Sequence, residues 1–177
     1  MARIGSMMKT WAVASTLGIV AVWVTGCGSV RHSAKFESTF VPRVDTRIEV
    51  GPVTNETDRT FAVDIPQMFT EALSEALNKE RLLWTGGSGS GHFIIVSKVV
   101  EYDEGNAFKR WLLPGWGSTV LSLHCELREG ANGKMVGFVD ARRTVSIGGG
   151  YTIGAWKTIF ASVATDVVKE LRSKVAG

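Results

Sequence analysis

Apolar and polar residues alternate, or form short β-branched runs, in four separate parts of the chain. A period of two, or a short apolar run between turn residues, is typical of β-strands. Asn132-Gly133 separates the last two of these segments and is the dipeptide that tight β-hairpins favour. The chain is therefore predicted to contain four strands, at residues 44–53, 92–102, 119–129 and 135–147.

Two other segments repeat apolar residues at helical spacing. Asp64 offers an N-cap to the first of them, and Pro66 falls in the first turn, where a missing N–H costs little. The first apolar stripe consists of Ile65, Met68, Phe69, Ala72, Leu73, Ala76 and Leu77. The second consists of Trp156, Ile159, Phe160, Val163, Ala164, Val167, Val168 and Leu171.

The predicted order of elements is β-α-β-β-β-α, and each helix has one apolar face to bury. A two-layer α+β sandwich satisfies this, with a four-stranded mixed sheet and both helices on one face. The first helix is a crossover, so the first two strands are expected to lie parallel. The last three strands are expected to form an antiparallel meander.

The N-terminus has the layout of a secretory signal: the cations Arg3 and Lys9, then an uncharged run from Trp11 to Val24. That run is shorter than the roughly 20 apolar residues of a spanning helix. The sequence VTGC that ends it resembles the bacterial lipobox. This resemblance implies removal of the preceding peptide and attachment of a diacylglycerol to Cys27. Translation could start at Met1 or Met8, and the mature product would be the same.

The interpretation divides the chain into a signal peptide at 1–26, a polar tether at 27–42 and one α+β domain at 43–177. Gly28 occupies the position where an Asp resembles a retention mark for the inner membrane. We therefore expect an outer-membrane protein that faces the periplasm, with its membrane contact through the lipid on Cys27.

Composition limits the partners of the mature chain. Of the 20 basic residues, Arg3 and Lys9 leave with the signal, so 18 remain against 17 acidic ones. This near balance, without a dense basic stretch, argues against nucleic-acid binding. Cys125 is the only cysteine besides Cys27, so an intramolecular disulfide in the mature chain is not expected. Cys125 shares its alternation with leucines, which predicts a buried thiol.

The segments GHFIIVSKVVEYDEGNAFKRW and GGGYTIGAWKTIFASVATDVVKEL, with the alternating strand and NGK between them, resemble the domain-of-unknown-function 4410 family of bacterial lipoproteins. The similarity covers most of residues 45–175 and rests on the order and spacing of elements. It implies an α+β envelope domain. The family supplies no catalytic residues to transfer.

Glycine-rich segments are weak candidates for nucleotide binding. Gly148, Gly150 and Gly154 lie between a strand and a helix, as in dinucleotide-binding folds. That fingerprint needs a following parallel strand and an acidic residue about 20 residues on, and the helix predicted after Gly154 leaves no room for that strand. The segment 85–91 lacks the Lys-Ser/Thr of a phosphate loop. No cofactor is therefore predicted.

The residues that could carry catalysis or metal binding are dispersed. His32, His92 and His124 lack partners at ligand spacing, and adjacent His124 and Cys125 point to opposite faces of a strand. No metal site is predicted. The carboxylates of Glu101, Asp103 and Glu104 lie together at the end of a strand and could in principle serve acid–base chemistry.

The connection at 103–118 is long and apolar for a loop. It contains Lys109, Arg110, Trp111, Leu112 and Trp116, a combination found where proteins contact partners or lipid headgroups. One interpretation is a docking surface. The other is a cap in which Trp111, Leu112 and Leu113 fold back over the end of the sheet.

The sequence predicts a non-catalytic envelope lipoprotein that serves as an assembly or accessory module through contacts with another envelope protein or with itself. The alternative is a periplasmic enzyme or small-ligand-binding domain that uses the acidic strand end and the glycine-rich loops.

Overall fold

The computed structural model describes residues 29–38, 40–41, 45–87, 91–106, 117–145 and 155–175. Five strands and two helices lie within these residues. The strands are β1 (Ser29–Phe36), β2 (Arg47–Asn55), β3 (His92–Asp103), β4 (Thr119–Glu129) and β5 (Met135–Val145). The helices are α1 (Ile65–Lys79) and α2 (Ala155–Val175).

The strands form one mixed sheet in the order β1-β5-β4-β3-β2. β2 and β3 pair in parallel, whereas β3, β4, β5 and β1 pair antiparallel in succession. Helix α1 packs on β2 and beside α2, which covers β5, β4 and β1. The predicted α+β sandwich, with its parallel first pair, its meander and two helices on one face, is confirmed.

The predicted number of strands is wrong, because the sheet has five strands rather than four. The additional strand is β1, and it lies within the segment interpreted as a tether. β1 is at the edge of the sheet, and only Ala34 and Phe36 among its residues are partly buried. A strand with so little to bury needs no apolar period, so its sequence resembles a polar linker.

The apolar stripes predicted from the sequence form the core. Helix α1 buries Ile65, Phe69, Leu73 and Leu77, and β4 buries Leu121, Leu123, Cys125 and Leu127. Helix α2 buries Ile159, Phe160, Val163, Ala164, Val167, Val168 and Leu171. The opposite face of the sheet carries no helix in the described part of the chain.

Local signals place the ends of two elements as predicted. The Asp64 carboxylate accepts a hydrogen bond from the Gln67 backbone N–H at 3.0 Å and caps the first turn of α1. Between β4 and β5, Gly133 adopts a φ of 72°, a conformation that glycine adopts without strain. Its N–H donates to the Glu129 carbonyl at 2.8 Å, which closes the hairpin.

Candidate functional site

One end of the sheet begins only two residues after Cys27, the predicted site of lipid attachment. Ser29 pairs with Thr144, Thr144 with Val120, and Val120 with Asp103, so these residues lie side by side across four strands. Ser29 is also two residues after Cys27, which lies outside the described residues. Two extended residues span at most about 7 Å, so a lipid on Cys27 would place this end of the sheet at the membrane.

The long connection between β3 and β4 leaves and rejoins the domain at this same end. The Asn106 N–H donates to the Gly117 carbonyl at 3.0 Å, and the Thr119 hydroxyl donates to the Glu104 carbonyl at 2.9 Å. These bonds hold the two flanks of the connection together. The predicted interaction residues Lys109, Arg110, Trp111, Leu112 and Trp116 lie between these flanks and outside the described residues.

The acidic residues at the end of β3 have separate partners. The Arg142 guanidinium donates two hydrogen bonds to the carboxylate of Glu101, at 2.9 and 3.1 Å. Asp103 accepts a bond from the Gly105 N–H at 2.7 Å, and Glu104 is exposed. An acid–base pair needs two carboxyl groups that face one reacting bond. The observed contacts instead use Glu101 and Asp103 to hold local structure.

The helix-free face of the sheet carries a polar network centred on His124. Its Nδ1 lies 2.6 Å from an Asp140 oxygen, and its Nε2 lies 3.6 Å from a Glu126 oxygen. The Ser33 hydroxyl donates to the other Asp140 oxygen at 3.3 Å. In a nucleophilic triad the hydroxyl must contact the imidazole, which then removes its proton. Here both ring nitrogens face carboxylates, so the arrangement lacks the geometry of a triad.

Glu126 also forms an ion pair with Arg128 on this face. The Arg128 guanidinium donates to one of its carboxylate oxygens at 2.5 and 3.1 Å. The hydrogen bond from Arg128 lowers the pKa of Glu126, and its charge adds to the effect. Glu126 therefore remains a carboxylate, suited to electrostatic contacts rather than to donating a proton at neutral pH.

The other two histidines contact different partners from those of His124. His92 contacts Glu49 at 2.8 Å, and its ring stacks on Trp84 with 4.3 Å between centroids. His32 contacts Glu170 of α2 at 3.0 Å. Within the described ranges, no three His, Cys, Asp or Glu side chains come together in a way that could hold a metal ion.

Cys125 lies in the core, opposite in direction to its neighbour His124. The thiol is within 3.4 Å of the Ser97 hydroxyl, which is also buried. Burial raises the pKa of the Cys125 thiol to about 12. A nucleophilic cysteine needs the thiolate at neutral pH, so this thiol is unsuited to catalysis.

The concave surface of the described residues is shallow. One depression of about 190 Å³ lies on the helix-free face between β1, β5 and β4. Arg31, Ser33, Ser122, Asp140 and Arg142 contribute to its lining. Sites for small molecules usually enclose about 300–1,000 Å³, so this depression is small for a ligand site. The glycines Gly148, Gly150 and Gly154 of the alternative interpretation lie outside the described residues.

None of the helices in the described part of the chain is long and apolar enough to cross a membrane.

Two side-chain contacts on the helix-free face were not predicted from the sequence, although the residue types that form them were visible. Alternation places His124 and Asp140 on polar faces of their strands, but only the register His124↔Asp140 brings them together. Glu101 and Arg142 meet across β4 because both lie beside Ser122. Knowledge of the hairpin register would have revealed the first contact, whereas the second also needs the bulge after Val99.

The fold and this surface define a small two-layer α+β domain with a polar sheet face that none of the described helices covers. A family model described as "Domain of unknown function (DUF4410)" matches residues 51–149. The chain belongs to this family, as the resemblance over residues 45–175 had indicated. A comparison with curated proteins finds no significant match.

Several solved structures are similar to this protein. Two are dodecamers of PelC from Paraburkholderia phytofirmans, one of them a point variant. The variant is 16% identical, with a TM-score of 0.55 over 82% of this chain and 97% of that one. The other is 14% identical, with a TM-score of 0.52 over 80% and 96%. A protein from Caulobacter crescentus CB15, provisionally described as a lipoprotein, is 16% identical, with a TM-score of 0.42 over 73% and 87%.

Proposed function

We propose that the protein is an outer-membrane lipoprotein, anchored by Cys27, that acts without catalysis as an assembly or accessory module of the envelope. It works through protein contacts, including contacts between its own copies. The observation that carries the self-association is the match of nearly the whole fold to PelC, which forms dodecamers. The anchor is supported by the lipobox-like VTGC and by the start of β1 only two residues later.

The surface of the domain supports a module that works by contact. In the described residues, two of the three carboxylates at the strand end, Glu101 and Asp103, have structural partners, and the Cys125 thiol is buried. The helix-free face offers charged side chains along several strands and only a shallow depression. Polar, flat surfaces of this kind suit protein contacts, whereas small substrates need enclosed sites.

The residues Lys109, Arg110, Trp111, Leu112 and Trp116 belong to this proposal as a contact surface. Their connection starts and ends at the sheet end that holds Ser29, as the bond between Asn106 and Gly117 requires. Tryptophan with lysine or arginine is the combination enriched at membrane interfaces and at binding hot spots. A second anchor beside the lipid would orient the domain on the membrane.

Metabolic labelling with palmitate tests the proposed anchor. The native protein should incorporate label and be extracted from membranes only with detergent, whereas Cys27→Ala should incorporate none. Two or three acyl chains hold a protein firmly, while a single chain binds marginally. Cys125→Ala is the matched control and should label normally. Label retained by Cys27→Ala would overturn the anchor, and a monomeric mass of the detergent-extracted native protein would overturn the self-association.

A further inference from the structure

The free edge of β1 is the first of two surfaces that differ in charge. Among the described residues, β1 pairs only with β5, along all eight of its positions, which leaves its other edge open. Arg31 and Lys35 are exposed, and neither forms an ion pair with another described residue. Exposed strand edges tend to pair with other chains unless they are covered. Within the described residues, this edge is therefore an open, basic surface.

The opposite edge of the sheet is protected. Ile48 of β2 bridges to Leu83, with bonds from the Ile48 N–H to the Leu82 carbonyl and from the Trp84 N–H to the Ile48 carbonyl. Further along, β2 contains a register shift and Pro52, which cannot donate to another strand. The protected edge of β2 is poorly suited to pair with the open edge of β1 in another copy. A continuous sheet from copy to copy is therefore disfavoured.

Helix α1 lies over this protected edge, and its outer surface is acidic in the middle. Gln67, Glu71 and Glu75 are exposed at intervals of four residues, opposite the buried stripe. Glu71 accepts a hydrogen bond from Gln67 at 3.0 Å, and Glu75 has no ion pair within the described ranges. Lys79 follows in the last turn. The outer surface of α1 therefore presents two carboxylates that have no cationic partner within the described part of the chain.

We infer that the edge of β1 in one copy docks on the outer surface of α1 in the next copy, with Arg31 and Lys35 facing Glu71 and Glu75. This inference rests on the self-association proposed above and names its surfaces. The eight residues of β1 extend for about 26 Å, and the 15 residues of α1 for about 22 Å, so the two surfaces have similar lengths.

The contact is heterologous, since different surfaces of two copies meet. Heterologous contacts generate rings when the rotation closes and filaments when it does not. Pairing of β1 with a second β1 would instead concentrate four basic side chains along one seam, which is unfavourable. Charge therefore favours head-to-tail association over a twofold dimer of edges.

Charge exchange between the two surfaces tests the inference. One variant carries Arg31→Glu and Lys35→Glu, and the other carries Glu71→Lys and Glu75→Lys. Each full-length, detergent-extracted variant should associate at least about tenfold more weakly than the native protein, because like charges would face each other. Mixed together, the two variants should form alternating assemblies of native size. Light scattering after size-exclusion chromatography measures the masses, and circular dichroism verifies folding.

Two controls accompany the exchange. Lys169→Glu and Glu104→Lys reverse exposed charges outside both surfaces and should leave the mass unchanged. Raising the salt from about 0.1 M to 1 M shortens the screening length from about 10 to 3 Å and should weaken native association. Where a reversal variant fails to fold, Lys35→Gln and Glu75→Gln replace the double reversals and should each weaken association.

The outcomes separate the inference from the proposed function. A native protein that is monomeric overturns both. A native assembly that both reversal variants retain overturns the named surfaces alone. A native assembly lost in each reversal variant but not restored by mixing them contradicts head-to-tail pairing of these two surfaces. Restoration by mixing supports it, because twofold pairing of one surface with itself could not produce that result.

Discussion

At the scale of single residues, environment decides what each reactive group can do. Cys125 alternates with leucines along β4, and the core removes it from water almost completely. His124, its neighbour, lies on the other face between Asp140 and Glu126. The same strand therefore holds an inert thiol and a partly buried ionic network, because adjacent residues of a strand point to opposite faces.

The burial of Cys125 predicts its reactivity. In Cys27→Ala, Cys125 is the sole thiol of the chain. A maleimide should not modify it in the native state near pH 8 and should modify it fully in denaturant, since a buried, protonated thiol is not nucleophilic. Mass spectrometry gives the modified fraction. Rapid native labelling would mean that the strand exposes this face, leucines included.

The same burial predicts a loss of stability in alkaline solution. The pKa of Cys125 rises from 9.0 to about 12 on folding, so above pH 9 the unfolded chain loses a proton that the folded chain retains. This contribution to stability is present below pH 9 and is lost as the pH rises towards 12, at up to about 1.4 kcal/mol per pH unit. Denaturant unfolding near pH 8 and pH 11 should show a smaller fall in Cys125→Ala. An equal fall would contradict this assignment.

At the scale of elements, β1 shows how an edge strand is held without an apolar pattern. Phe36 crosses Gly137 of β5 so closely that a Cβ there would lie 2.3 Å from the Phe36 ring and 2.8 Å from the Lys35 carbonyl. The ring also stacks on Phe40 at 5.6 Å, and Phe40 contacts Phe93 at 5.5 Å. The absence of a side chain at Gly137 lets β1 approach β5 closely, and the three packed aromatic rings attach the end of β1 to the core.

This close approach predicts that Gly137→Ala loosens β1. The added methyl would displace Phe36 and the backbone at Lys35, at a cost of about 1–3 kcal/mol. Denaturant unfolding measures the cost, and hydrogen exchange of the β1 amides shows where it falls. Phe36→Ala combined with Gly137→Ala should cost less than the sum of the single changes, because the ring clash is gone. Unchanged stability in Gly137→Ala would contradict the packing.

At the scale of the whole molecule, the proposed anchor on Cys27 would give the domain a defined orientation. Ser29, Val120 and Asp103 lie at one end of the sheet, and the flanks Asn106 and Gly117 of the tryptophan-containing connection meet there too. A lipid on Cys27 would bring this end to the membrane, while β1 and α1 remain free at the two sides. Membrane contact and lateral association can therefore occur together.

The tryptophans of that connection distinguish docking from capping. In Trp111→Ala and Trp116→Ala we expect near-native melting of the full-length protein with weaker association or altered membrane contact, because hot-spot aromatics contribute to binding. Melting and association per folded molecule are the measurements. Trp84→Ala is the control, since its stacking on His92 should affect melting without affecting association. Loss of about 3–5 kcal/mol in both variants, with unchanged association, would instead identify a cap.

The sequence by itself determined the elements that bury a continuous face. Asp64 begins α1, the leucines with Cys125 place β4, and Asn132-Gly133 joins β4 to β5, all as predicted. These elements carry a period or a local bond that any fold must satisfy, so their neighbours along the chain suffice to reveal them. The α+β class follows, because two amphipathic helices and an alternating sheet have few ways to cover one another.

Only the tertiary structure decided the fifth strand, the register and the surfaces. β1 buries too little to show a period, and its place beside β5 depends on the contact of Phe36 with Gly137. Likewise, the bond between His124 and Asp140 and that between Glu101 and Arg142 depend on strand register and on a bulge. Register arises from contacts between residues distant in sequence, which local periodicity cannot encode.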